Sequence, residues 1–156
     1  MLDITILAVG SIKDRNYLAA AQEYHKRLQP YAKIERIEIG SVSFSVKNRV
    51  KSQEAEGRAI VDYLTKRSLS NRPGNVFLLA ERGEMLDSPR FAKWLDKEQP
   101  LILVIGGPLG FMPELYQRYK QISLSSLTFP HELAQVMLLE QLYRAVTIIN
   151  NKDYHY

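Results

Sequence analysis

The chain of 156 residues contains no cysteine. Disulfides, thiol nucleophiles and zinc–thiolate sites are therefore excluded, and a reducing cytoplasmic setting is compatible with the sequence. Histidine is scarce, with His25, His131 and His155 making up all 3. No H-E-x-x-H, G-x-S-x-G or EF-hand pattern is present, and carboxylates do not cluster, so no metal is expected. Neither G-x-G-x-x-G nor G-x-x-x-x-G-K-[ST] occurs, which leaves the dinucleotide fingerprint and the P-loop unsupported. Long hydrophobic runs are missing too. Leu101 to Ile105 is among the longest, far short of the roughly 18 residues a membrane span needs. The start, Met1 to Gly10, lacks a basic n-region and a cleavage site and reads as a strand. No membrane partner is expected.

What is present is ordinary for a globular protein: 46% hydrophobic and 24% charged residues. The length fits a single domain over residues 1–156. The formal net charge is +4, and it is unevenly spread. Residues 1–72 hold 13 basic and 8 acidic side chains, whereas residues 73–156 hold 8 and 9. A basic first half suits an anionic partner such as nucleic acid, and an incidental basic face fits equally well.

Strand and helix signals alternate. Ile4 to Val9 is an apolar run closed by Gly10. Asn16 to Leu28 carries Leu18, Ala21, Tyr24 and Leu28 at helical spacing and is stopped by Pro30. Ile34 to Ile39 reads as a strand near a sheet edge, because its faces are partly polar. Residues 40–46 read as a flexible connection, Lys47 to Arg67 as a helix, and Asn71-Arg72-Pro73-Gly74 as a turn. Further strands are expected at Val76 to Ala80, Leu101 to Ile105 and Ile122 to Leu124. Ser88-Pro89 opens a short helix, with Ser88 as N-cap and Pro89 at the first helical position. A last helix runs from Pro130 to about Asn150. This alternation implies an α/β fold with a mainly parallel sheet flanked by helices. Ligands in such folds bind beyond the carboxyl ends of the strands.

Four places there or near the end of the chain could carry chemistry. Gly106-Gly107-Pro108-Leu109-Gly110 follows the most apolar strand, where missing Cβ atoms let backbone approach a ligand; a plain tight turn is the alternative. Ser123 to Glu132 combines hydroxyls and backbone amides with the apolar Leu124, Leu127 and Phe129, which suits a planar heterocycle. A helix-capping segment fits those residues as well, with His131 a cap or surface residue. The terminal helix is apolar around most of its circumference, which demands burial in the core or a subunit interface. On it Glu140 and Arg144 stand four apart, a favourable ion pair, and Arg144 could instead face an anionic substrate. The tail holds Tyr154, His155 and Tyr156, able to stack on unpaired bases or simply to be disordered.

Together, the start Ile-Leu-Ala-Val-Gly, the block Val104-Ile105-Gly106-Gly107-Pro108-Leu109-Gly110, the stretch Leu124 to His131 and the ending Leu142-Tyr143-Arg144-Ala145 with Tyr154-His155 resemble the RlmH family. These are small ribosomal RNA methyltransferases of the SPOUT superfamily, and the resemblance runs end to end. It implies a C-terminal deep trefoil knot, which no local pattern reveals because knots break the usual connection rules. It also implies a cytoplasmic homodimer that binds S-adenosylmethionine and methylates N3 of a pseudouridine in 23S ribosomal RNA, within the large subunit or the whole ribosome. Carried over by position, Leu79, Gly106 and the run Leu124, Ser125, Ser126, Leu127, Thr128 and Phe129 would bind S-adenosylmethionine. Arg144, His131, Tyr154 and His155 would form the substrate side, with Glu140 orienting Arg144. No residue stands out as general base, and proton loss to water is compatible with the chemistry. Lys47, Arg49 and Lys51 are candidate contacts to the RNA backbone. A non-catalytic RNA- or ribosome-binding protein, or a methyltransferase acting on another RNA such as a tRNA, are the alternatives.

Overall fold

The computed structural model describes residues 1–66 and 75–154. The expected turn at Asn71 to Gly74 lies outside the described residues, as does His155. The elements alternate as β1 (Leu2–Val9), α1 (Arg15–Leu28), β2 (Ala32–Ile39), α2 (Arg49–Lys66), β3 (Val76–Met85), α3 (Ser88–Lys97), β4 (Leu101–Ile105), α4 (Pro113–Arg118), β5 (Lys120–Ser123) and α5 (His131–Ile149). The five strands form one sheet in the order β2-β1-β4-β3-β5, and every pairing is parallel. β2 sits at an edge, as its mixed polarity predicts.

A parallel sheet is buried on both faces, and side chains alternate between them. Ile4, Ile6 and Ala8 of β1, Leu101, Leu103 and Ile105 of β4, and Phe77 of β3 point to one core. That core also takes Ala21 and Leu28 of α1, Phe91 and Leu95 of α3, and Leu138, Leu139 and Leu142 of α5. Leu7 and Val9, Ile102 and Val104, and Val76 and Leu78 point the other way. There they meet Ile60 and Leu64 of α2 and Leu115 of α4. The result is three layers, with α1, α3 and α5 on one face and α2 and α4 on the other.

Three local features differ from the sequence reading. Asp87, not Ser88, caps α3: its carboxylate accepts the Arg90 N–H at 2.8 Å, which places Ser88 and Pro89 in the first turn. The expectation put the cap one residue late because serine and aspartate serve equally well there. β3 continues past Ala80 to Met85. Leu79 and Glu84 both align with Ile122, so residues 80–83 form an irregularity before pairing with β5 resumes. The polar run Glu81-Arg82-Gly83-Glu84 hid this extension. Finally, α4 has six residues and a single buried one, Leu115, too short to display a helical period.

Gly83 makes the extension work. A Cβ there would lie 2.7 Å from the backbone N and C of Ile122, and backbone cannot swing aside. Gly83→Ala is therefore expected to destabilise the fold by about 1–3 kcal/mol, the usual cost of forcing atoms into a packed site. The midpoint of a urea denaturation curve measures it.

Candidate functional site

The irregular stretch of β3 and the loops leaving β4 and β5 border a cavity of about 1070 Å³. Its floor includes the paired residues Leu79, where β3 turns irregular, and Ile105, the last residue of β4. One wall is the turn Gly106 to Phe111 and another is the loop Leu124 to Pro130. This is where a parallel sheet places ligands.

The glycine turn is shaped by specific contacts. Gly110 adopts a φ of 71°, a region that L-residues with a Cβ rarely occupy. Its N–H donates to the Gly107 carbonyl at 3.0 Å. From α2, the Gln53 amide donates to the carbonyls of Leu109 and Phe111 at 2.9 and 3.1 Å, so the turn is held from behind. A Cβ at Gly106 would lie 3.2 Å from the Phe111 ring. Any larger residue there must displace that ring, which itself lines the cavity.

The opposite wall is braced by hydroxyls. The Ser123 Oγ lies 3.1 Å from the Glu81 carbonyl and 2.8 Å from that of Ser125. The Leu127 N–H donates to Ser125 Oγ at 3.0 Å. Such turns pin short loops without regular structure. Leu124, Ser125, Leu127, Thr128 and Phe129 line the cavity together with Leu79 and Gly106; Ser126 does not. Glu81, Arg82, Tyr116 and Gln121 also line it, and the sequence reading missed them. The first two sit on the unforeseen part of β3, Tyr116 on the unforeseen α4, and Gln121 at the start of β5, just ahead of the strand expected from Ile122.

His131 lines the cavity where α5 begins. The helix start is tethered to the β1–α1 turn: the Glu132 carboxylate accepts the backbone N–H groups of Asp14, at 3.0 Å, and Lys13. These two bonds, the Asp14 one foremost, hold the Glu132 carboxyl below its ordinary value. One turn on, buried Gln135 accepts from Arg36 Nη2 at 3.2 Å and donates to the Gly10 carbonyl at 3.3 Å. Gly10, with a φ of 86°, leaves room for His131: a Cβ would stand 3.2 Å from the imidazole Nε2.

The remaining expected site residues gather elsewhere. Arg144 Nη2 donates to Glu140 Oε1 at 2.6 Å, with side-chain exposures of 24% and 13%. This is a half-buried pair, worth more than an exposed helix pair. The helix closes with Asn151 at a φ of 51° and with N–H bonds from Asn151 to the Ile148 carbonyl and from Lys152 to that of Thr147. This is a Schellman ending, and it turns the tail back along α5. Tyr154 consequently donates to Glu140 Oε1 at 3.2 Å. Its ring lies 4.9 Å from the Arg144 guanidinium and 4.8 Å, edge-on, from Tyr143. Burial first, then a bond with Tyr24 and the Glu140 charge, push the Tyr154 phenol well above its ordinary value of 10.0. The tail is thus folded as far as Tyr154, not frayed.

None of Glu140, Arg144 and Tyr154 lines the cavity. Arg144 lies thirteen positions after His131 on α5, roughly 20 Å at 1.5 Å per residue. One chain therefore holds two separate groups: a cavity with His131 at its rim, and an Arg–Glu–Tyr cluster at the far end of the same helix. Among the described residues, no His, Cys, Asp and Glu side chains gather closely enough to hold a metal ion. No helix in that range is long and apolar enough to cross a membrane.

The buried phenol gives a testable pH dependence. Its folded-state proton affinity is raised, so its contribution to stability is complete below pH 10 and declines as pH rises, because the unfolded chain ionises first. Tyr154→Phe is expected to cost about 1 kcal/mol near pH 8, through the lost hydrogen bond. It is also expected to flatten part of the stability loss above pH 10. Urea unfolding of both proteins at pH 8 and pH 11 checks both effects.

Comparison with known proteins agrees with this architecture. Residues 2–155 match the family model described as "Predicted SPOUT methyltransferase". Proteins named "Ribosomal RNA large subunit methyltransferase H" are similar along their whole length. That of Kosmotoga olearia is 40% identical, covering 99% of this chain and 100% of its own. That of Gloeobacter violaceus is 37% identical over 98% of both chains, and that of Phocaeicola vulgatus 33% identical over 99% of both. By this match and these relatives, and in keeping with its parallel sheet, the chain belongs to the SPOUT methyltransferase family.

Proposed function

We propose that this protein methylates large-subunit ribosomal RNA, moving a methyl group from S-adenosylmethionine to N3 of a pseudouridine in 23S rRNA on the cytoplasmic large subunit or ribosome. The observation that carries this reading is the cavity at the strand ends, in a SPOUT chain related over its whole length to rRNA methyltransferases. The residues suit the donor. Leu79, Leu124, Leu127 and Phe129 offer apolar walls for an adenine ring, while the turn at Gly106 and the loop Leu124 to Phe129 offer backbone groups for its edge. When bound, S-adenosylmethionine supplies an electrophilic methyl group. What remains for the chain is to align the acceptor with it and to stabilise the anion that forms at N3.

Arg144 is the cation for that anion. Glu140 fixes its orientation through the 2.6 Å bond, and Tyr154 covers one face of the guanidinium. A guanidinium has five donors, which leaves capacity for substrate beyond Glu140. His131, at the cavity rim, and His155 complete the substrate side, and the N3 proton passes to solvent.

The separation of roughly 20 Å along α5 is what a site shared between two subunits would show. In a homodimer, the Arg144 cluster of one protomer serves the cavity of its partner. Leu133 and Met137, apolar side chains of α5 left half-buried in the single chain and outside its core clusters, supply a seam for that contact. We also assign the chain a deep trefoil knot. β5 lies at the sheet edge beyond β3, yet α5 starts beside Gly10 at the end of β1. Residues 124–130 must therefore cross the ends of β3 and β4, as a threaded segment would.

Two variants test the reading. Arg144→Ala is expected to lower methylation of purified ribosomal particles about 100-fold or more, typical for loss of a group that stabilises developing charge. S-adenosylmethionine affinity by calorimetry should change less than threefold; unchanged methylation would remove Arg144 from the site. Gly106→Val, by driving Phe111 into the cavity, is expected to abolish that affinity. Each variant alone is expected to be strongly impaired, but mixing the two after dissociation should restore methylation, because mixed dimers would contain one intact cavity facing one intact Arg144. Mixtures that stay inactive would overturn the shared site. Nucleoside mass mapping of the product distinguishes rRNA from tRNA as substrate.

A further inference from the structure

The segment between β2 and α2 has a design that the cavity and the Arg144 cluster do not use. It reads Ser41-Val42-Ser43-Phe44-Ser45-Val46, a strict alternation of small polar and apolar residues. It is not paired in the sheet, yet it is fastened along its length. The Val42 N–H donates to Oε1 of buried Glu56 at 3.1 Å. Ser52 Oγ donates to the Ser43 carbonyl at 3.1 Å. Ser45 bonds Asn48 through its hydroxyl at 3.2 Å and also through its backbone N–H. Val42 and Ser43 are tied to α2 and Ser45 and Asn48 close a local turn, while the side chains of residues 41–50 stay exposed, Phe44 to 47% and Val46 to 97%. Val50, in the first turn of α2, extends the apolar surface.

Exposed apolar side chains on an anchored backbone mark a contact surface. Charge identifies the partner. From Gly40 to Gln53 there are three basic residues, Lys47, Arg49 and Lys51, and no acidic one. None of the three takes part in an ion pair among the described residues. An aromatic ring beside uncompensated cations is the combination that binds single-stranded nucleic acid, with rings stacking on bases and cations tracking phosphates. The position fits as well. Ser41 Cβ lies 3.8 Å from where a Cβ on Gly10 would stand, and the His131 imidazole lies 3.2 Å from that same point. The segment therefore begins at the rim of the cavity.

We propose that residues 41–51 form a ledge for unpaired RNA flanking the methylated nucleotide, with Phe44 stacking on a base and Lys47, Arg49 and Lys51 holding the backbone. The proposal rests on the rRNA reading above and deepens it, since it names the state of the RNA read: unstacked and single-stranded.

Phe44→Ala and Phe44→Trp test it, each compared with wild type for thermal unfolding, S-adenosylmethionine affinity, methylation of ribosomal particles, and binding of a fluorescent 12-nucleotide oligouridine. For Phe44→Ala we expect oligouridine binding and kcat/KM on particles to fall about tenfold or more, the latter through KM. Cofactor affinity and melting temperature should stay at wild-type values, and Phe44→Trp should restore RNA binding. Unchanged oligouridine binding in Phe44→Ala would overturn the ledge. So would a loss of the dimer in that variant by sedimentation, which would assign the surface to a second copy of the chain. If wild type binds oligouridine through Phe44 but leaves ribosomal particles unmethylated, the ledge stands and the rRNA reading fails.

Discussion

The whole arrangement depends on one constraint: a parallel sheet has two apolar faces, and both must be covered. Five strands leave four connections and a terminal segment to do this. α1 and α3 flank one face and leave a trough between them, and α5 fills it with Leu138, Leu139, Leu142 and Val146. Each of those side chains contributes about 1.5–3 kcal/mol by leaving water, so the helix is held firmly along its middle. A rigid helix fixed at its middle fixes both of its ends. One end brings His131 to the cavity and the other presents Arg144. Core packing and site geometry are therefore the same fact.

The polar contacts at the start of α5 decide how far along the trough it sits. Gln135 is buried among apolar side chains, where an amide without partners would be costly. It finds Gly10 and Arg36 only at this position; a shift by one turn would strand it. Glu132 adds a second anchor on the backbone of Lys13 and Asp14. Apolar contacts alone tolerate sliding, whereas these directional bonds do not. They set His131 against Gly10, whose missing side chain makes the approach sterically possible.

Much of this was legible from the residues, and the reasons differ by element. β1 and β4 are buried on both faces, so each is an unbroken apolar run, and α1 shows a clear helical period. The glycine turn declared itself by composition. Other features are set by partners distant in sequence. β3 passes Ala80 because β5, about forty residues later, pairs with Glu84 and Met85; Glu81 and Arg82 give no local sign of it. The same dependence hid the cavity-lining role of those two residues. Tyr154 looked like part of a loose tail, because its order comes from a helix ending with Asn151 in place of the more telling glycine and from Glu140, fourteen residues earlier. A helical spacing of four announced the Glu140–Arg144 pair, but not its partial burial.

The uneven charge is better understood through burial than through net balance. Arg144 is half-buried, paired with Glu140 and covered by Tyr154. Its field is largely cancelled beyond a few ångströms, and bulk salt screens such a pair weakly. Lys47, Arg49 and Lys51 are exposed and unpaired among the described residues, so their attraction reaches about one Debye length, roughly 8 Å at physiological ionic strength. The two sets of cations suit different stages of engaging an RNA. In the function proposed here, the exposed set governs encounter, where long reach matters and orientation does not. In that same function, half-buried Arg144 acts once the nucleotide has arrived, where orientation is everything and a free-swinging lysine would serve poorly. Arginine held by a carboxylate meets that second need, because its planar donors are already aimed before substrate binds.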